Sequence, residues 1–228
     1  MNSMITFVIM NWSRTENTKK LTAALKNQSI DTQVFVFNNN PEIDYEDSNA
    51  DLVISSNKNL RCGACWMPMM YAFDGVICKI DDDLIPNTTK FAEETVETLN
   101  NLEKTYGSCN VALGVESEFW DSNGHGMNYN EDGEVDCIKG RVMVFRRGLL
   151  NDFPIFKMLN LENEQYHHGE LSFAAFLKEQ GKILYNSTHV RSMLEDVDSH
   201  SSKAAHAEST HYSDRIAIRK KLYLKVKQ

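Results

Sequence analysis

The hydrophobic positions of this chain fall into short apolar runs, and the runs alternate with stretches in which apolar residues recur at helical spacing. Met4 to Met10 is an apolar run of strand length, rich in the β-branched residues that suit a buried strand. The polar segment Asn11 to Asn17 follows, and then Lys20 to Leu25 places Leu21, Ala24 and Leu25 on one helical face. Gln33 to Phe37 predicts a second strand, stopped by Asn38 to Pro41, and Asp51 to Ser55 predicts a short third. Gly63 to Phe73, rich in Ala, Met and Trp, predicts a helix that delivers the chain into the apolar run Val76 to Ile80. Strand, helix, strand, strand, helix, strand implies a mainly parallel α/β unit with right-handed crossovers.

The second half is more mixed. Phe91, Val96, Leu99 and Leu102 predict an amphipathic helix over 88–102, and Val111 to Val115 a strand. Glu118 to Asp136 turns polar and glycine-rich, which predicts a loop or hairpin over a site. Arg141 to Phe145 reads as a strand, and His167-His168-Gly169-Glu170 opens a helix that ends at Gly181. Ile183 to Tyr185 is a last short strand. The tail, 199–228, carries His200, His206 and His211 and then the basic run Arg215, Arg219, Lys220, Lys221, Lys225 and Lys227. The chain is expected to form one domain, with a first half over 1–87, a second over 88–198 and a basic tail over 199–228 closing over the site.

The run Val76 to Ile80 ends in Asp81-Asp82-Asp83, with Pro86 close behind. A strand that stops at consecutive carboxylates places them at its C-terminal end, where they repel one another. Burying even one is costly, so positive charge is expected there, either a divalent metal or a pair of basic side chains. Short Asp oxygens suit Mg²⁺ or Mn²⁺, which keep positions open for substrate phosphates. The bland reading is an acidic, solvated turn. Arg14 stands at the first strand-to-helix crossing, where open α/β sheets bind nucleotides. A cation at a helix start is unfavourable unless an anion is close.

Composition narrows the setting. The formal net charge of −8 argues against a general nucleic-acid coat or an anionic-membrane binder. No apolar run approaches the roughly 18 residues of a membrane span, and the N-terminus has no signal-peptide plan, so the cytoplasm is the expected location. The five cysteines read as reduced thiols. Cys62-Gly63-Ala64-Cys65 has redox or half-zinc spacing, but no second pair accompanies it, which favours packing beside Trp66.

In this order and spacing the chain resembles the GT-A nucleotide-sugar-dependent glycosyltransferases, of a family 2-like or exostosin-like kind that includes phage DNA-modifying enzymes. The resemblance rests on Ile5 to Asn17 with its Arg-x-x-Asn turn, Val34 to Asn38, Asn59-x-Arg61, the Asp-x-Asp of 81–83, and Gly169-Glu170-Leu171-Ser172. It implies a Rossmann-like sheet flanked by helices, with a mixed acceptor-side half: 1–87 would bind the nucleotide sugar and 88–198 the acceptor. It also implies roles. Asp83 would bind Mn²⁺ or Mg²⁺, Asp81 the metal through water or the ribose, and Asp82 the ribose or sugar. Arg14 and Asn11 would hold the base or diphosphate, Asn38 would lie beside the base, and Arg61 near the diphosphate or donor sugar. A C-terminal histidine often completes such a metal site, with His211 the first choice and His206 the second; Arg215 and Arg219 would clamp the diphosphate. Glu170 would be the catalytic carboxylate, although the family often carries Asp or a Glu-Asp pair where this chain has Gly169-Glu170.

The resemblance implies a UDP-sugar above other donors, and an acceptor hydroxyl on a glycan, a protein, a lipid-linked sugar or a hydroxymethylated DNA base. A nucleotidyltransferase would share the architecture, but its glycine-rich loop is missing from Asn11 to Asn17. A haloacid dehalogenase-type enzyme would carry its acids on the first strand. A non-catalytic sugar- or nucleotide-binding module on the same scaffold is the remaining alternative.

Overall fold

The computed structural model describes residues 4–155, 168–198 and 211–227. Its first strand, β1 (Ile5–Asn11), is buried on both faces: Ile5, Phe7 and Ile9 point to one side of the sheet and Val8 to the other. Helix α1 (Thr15–Lys26) returns the chain to β2 (Thr32–Asn38), and β3 (Leu52–Ser55) lies beside it. Arg14 occupies the N-cap position of α1, and no side chain caps it; neither Ser13 nor Thr15 does so.

The helix expected over Gly63 to Phe73 is reduced to a 3₁₀ turn, Arg61–Cys65, and a short α2 (Trp66–Met69). Gly63 is a poor helix former, and Pro68 supplies no N–H to prolong the run. Next come β4 (Val76–Ile80), β5 (Leu84–Pro86) and α3 (Phe91–Tyr106), which ends at Gly107 with φ at 91°. The second half holds β6 (Val111–Gly114), β7 (Ser117–Trp120), β8 (Gly126–Tyr129), β9 (Gly133–Glu134), β10 (Cys137–Ile138) and β11 (Val142–Arg146). A 3₁₀ turn (Arg147–Leu150), α4 (Gly169–Glu179), β12 (Ile183–Asn186), α5 (Thr188–Ser192), β13 (Leu194–Asp196) and α6 (His211–Val226) complete the described chain.

The central sheet has the order β3-β2-β1-β4-β11-β6-β12-β9. Its β3, β2, β1 and β4 pair in parallel, as do β6 and β12, whereas β11 runs antiparallel to both of its neighbours. The expected mainly parallel α/β sheet with a mixed second half is therefore the observed one. The polar, glycine-rich 118–136 stretch contributes most of a small antiparallel sheet, β10-β7-β8. Helices cover both faces of the central sheet. One core joins Leu21, Phe91 and Leu99 to Ile5, Phe7 and Val144; the other joins Trp66, Phe173, Leu177 and Ile218 to Val8, Ile77 and Phe145.

The strand order reverses between β1 and β4. In such sheets a crevice opens outside the C-terminal ends of the two strands at that point, and the acid triplet follows the end of β4 directly.

Candidate active site

Three cations of the chain meet the three carboxylates. Arg14 Nη2 lies 2.6 Å from Asp82 Oδ1, and its Nη1 3.3 Å from Asp83 Oδ2. Arg141 approaches Asp83 Oδ1 at 3.1 Å from the other side. The Lys79 ammonium, buried two residues before the triplet, donates to the Asp81 carboxylate and to the Gly140 carbonyl. Arg14 thus has the anions that make a cation tolerable at a helix start.

The backbone fixes this arrangement. Asp81 N–H donates to Arg141 O at 2.8 Å, an extension of the antiparallel β4–β11 ladder, and that pairing carries Arg141 to the acids. Val197 N–H donates to Asp83 O at 2.8 Å, so the strand β13 and the residues after it return across the site. There Asp196 accepts from Arg141 at 2.6 Å, and Asp198 accepts from Asn17 Nδ2 at 3.1 Å.

Burial pushes the Asp82 carboxyl up to about 7 in spite of Arg14, and burial also pushes Asp81 up in spite of Lys79. Burial alone would move the Lys79 ammonium toward neutrality, but Asp81 outweighs it and keeps the group charged.

The donor set fits a hard divalent cation. It is all oxygen, and Asp81 is the most open of the three, its side chain 29% exposed against 7% and 10% for the others. Among the described residues no three His, Cys, Asp or Glu side chains converge as a metal group. A cation here would therefore take one or two carboxylates from the protein and leave its other positions to substrate oxygens and water. His211 begins α6, but its side chain lies outside the described residues, as does all of His206.

The other expected binding residues separate. Asn11 and Asn38 are fully buried and bonded to each other, Asn11 Nδ2 donating to Asn38 Oδ1 at 3.0 Å. Thr18 Oγ1 donates to Asn11 Oδ1, and Asn38 Nδ2 donates to Ile43 O. The pair braces the ends of β1 and β2. Arg61 is exposed, in the left-handed region at φ 55°, and Asn59 accepts from its N–H at 2.7 Å. Beside Arg14, Trp12 is partly exposed at the end of β1, and Thr15 Oγ1 is buried with no partner among the described residues.

Glu170 stands in the first turn of α4, on the β11 side of the triplet, packed against Gly140. Arg215 of α6 forms an ion pair with Glu170 Oε1 and reaches Glu118 at 3.5 Å. Arg219 goes to Glu118, Nε at 2.8 Å and Nη2 at 2.6 Å, and so does not join the acid triplet. The tail helix therefore closes on the second half of the chain through two buried arginines. Gly169 has a steric reason: a Cβ there would lie 2.4 Å from Trp66 Nε1, so an acidic side chain at this position would displace the core tryptophan.

Burial would raise the Glu170 pKa, but Arg215 and His168 outweigh it and hold the carboxyl down to about 2. Because the folded value is depressed, the pair stabilises the fold above the ordinary value of 4.5, and that contribution is lost as pH falls toward 2. Glu170→Gln should therefore cost on the order of 3 kcal/mol at pH 7, and the gap from wild type should shrink between pH 4.5 and 2 in urea unfolding. A gap that does not change over that range would remove the ion pair as its cause.

Arg141, Glu116, Lys79, Glu118 and Trp12 are site residues or their supports that the sequence reading left unassigned. For Lys79 a signal existed, a lysine inside an otherwise apolar strand. For Arg141 none did, since only the antiparallel pairing brings it to Asp83. The five cysteines are free thiols; burial pushes Cys62 and Cys65 up to about 12, and Cys65 packs in the core with Trp66, as the packing reading expects.

The sheet order and crossovers make a mainly parallel α/β fold that is shared with a glycosyltransferase of known structure. The structure is similar to that of a mannosyltransferase from Pyrobaculum calidifontis in complex with GDP-Man and Mn²⁺, with a TM-score of 0.56 and 12% sequence identity over 82% of this chain. This chain spans 55% of the length of that protein. No protein-family model matches the sequence, and no curated protein matches it significantly. Among the described residues no helix is long and apolar enough to cross a membrane.

Proposed function

We propose that this protein is a metal-dependent glycosyltransferase that moves a sugar from a nucleotide diphosphate donor to an acceptor hydroxyl. The observation that carries the reading is the buried Asp81-Asp82-Asp83 turn beside Arg14, at the point where the strand order reverses. Arg14 and the first turn of α1 present positive charge and N–H groups to a diphosphate. Trp12 offers a face to the base. Asp81 and Asp83 would hold Mn²⁺ or Mg²⁺, which supplies Lewis-acid neutralisation of the departing diphosphate. Lys79 orients Asp81 from beneath.

Glu170 is the proton acceptor for the acceptor hydroxyl in this reading. With Arg215 on Oε1 its proton affinity is low for a general base, so a transfer rate that depends on Glu170 should persist well below neutral pH. The donor is UDP-linked by resemblance, and GDP-linked in the similar mannosyltransferase. A thermal-shift screen of UDP, GDP and their sugars, with and without Mn²⁺, tests the donor half. Manganese-dependent stabilisation by one nucleotide family is expected, and its absence from all of them would overturn the reading.

A further inference from the structure

A concavity lies two strands away from the acid triplet. It encloses about 330 Å³, within the range of small-molecule sites, and opens beyond the C-terminal ends of β6 and β12. Val115 and Glu116 line it from the end of β6, Asn186 and Thr188 from the end of β12, Asn128, Asn130 and Lys139 from the small-sheet side, and Arg191 from α5. One guanidinium joins it to the candidate active site: Arg141 Nη1 lies 2.5 Å from Glu116 Oε1, and its Nη2 3.1 Å from Asp83 Oδ1.

The lining decides what would fit. It mixes acceptors and donors, namely three amides, a carboxylate, a hydroxyl and two cations, and no aromatic side chain among the described residues lines it. Asn186 is already bonded to Ser117 and Glu131, and Thr188 Oγ1 donates to Asp132, which leaves Asn128, Asn130, Lys139 and the second Glu116 oxygen as the open polar groups of the described lining. Hydroxyls that both donate and accept match such a wall. A nucleobase held without stacking would forgo its main source of binding energy. A phosphate backbone would need clustered cations, whereas Arg191 is paired with Asp196, the Glu116 carboxylate shares the wall, and Lys139, bonded to Asn128 at 2.7 Å, is the remaining cation of the lining. Asn130 is exposed at the rim and makes no side-chain hydrogen bond among the described residues.

We infer that this cavity binds a sugar unit of the acceptor, so that the acceptor is a glycan. The inference rests on the transferase reading and adds the substrate class to it. Wild type and Asn130→Trp, which fills the cavity from its rim, would be applied to an array of immobilised mono- to tetrasaccharides. A duplex oligonucleotide containing 5-hydroxymethylcytosine would run in parallel. The expected result is retention of wild type by at least one glycan, and at least tenfold weaker retention of Asn130→Trp with unchanged melting temperature and nucleotide response. Asn130→Ala, which only shortens an exposed side chain, is a second variant expected to bind several-fold more weakly. Retention by no glycan, equal retention of the variants, or retention by the oligonucleotide alone would overturn the inference. If glycan retention and its loss hold while nucleotides give no thermal shift, the transferase reading falls and the cavity stands as a sugar site.

Discussion

Asp83→Ala should abolish the thermal stabilisation that a nucleotide diphosphate gives with Mn²⁺. A ligand present at a hundred times its Kd stabilises the folded state by about 2.7 kcal/mol, and a variant that does not bind it gains nothing. The loss should be specific. Arg14 keeps Asp82, and Arg141 keeps Glu116 and Asp196, so neither guanidinium is stranded when Asp83 is removed. The ligand-free melting temperature should therefore stay close to wild type while sugar transfer falls on the order of a thousandfold, the scale of a lost Lewis-acid contact. An intact manganese-dependent shift in Asp83→Ala would take Asp83 out of the donor site, and a large drop in ligand-free melting would make its role structural.

The second large effect is expected at a residue far from the acids in sequence and fully buried. Glu118 accepts both Arg219 bonds and the Trp120 indole N–H at 2.8 Å, and it stands 3.5 Å from Arg215. Glu118→Ala leaves a buried guanidinium without its counter-charge, which costs about 3–5 kcal/mol. The whole of α6 should loosen with it, because Arg219 and Arg215 are its buried charged contacts among the described residues, and a further ion pair, Lys227 to Asp136, lies just past its end. Urea unfolding reads the loss, and limited proteolysis within 211–226 reads the loosening. A Glu118→Leu, Arg219→Met double variant, with the buried pair replaced by apolar groups, should recover most of the stability. A cost under about 1 kcal/mol for Glu118→Ala would mean that the pair does not hold the helix.

These two residues mark the boundary of what could be read in advance. Asp81 to Asp83 stood out because an apolar β-branched run ending in carboxylates is a local pattern, complete within a few residues. The strands β1, β2, β4 and β6, and helices α3 and α4, were legible for the same reason: period and punctuation are written along the chain. The helix expected over Gly63 to Phe73 is cut short on local grounds too, since Gly63 and Pro68 both disfavour a continuous helix.

Partner choice was not legible. The chain announced that the acid turn needed positive charge and left open whether a metal or basic side chains supplied it. The tertiary structure brings Arg14 from the end of β1 and Arg141 from an antiparallel strand 58 positions away from Asp83. It also sends Arg215 to Glu170, 45 positions away, and Arg219 to Glu118, 101 positions away, where the sequence had suggested a joint diphosphate clamp. A charged side chain will pair with any opposite charge within reach, and which one lies within reach is set by crossovers and register. The sequence by itself determined where the acids stand and that the sheet is mainly parallel; only the packed sheet decided which cations meet them, because that depends on distances between strands and helices far apart in the chain.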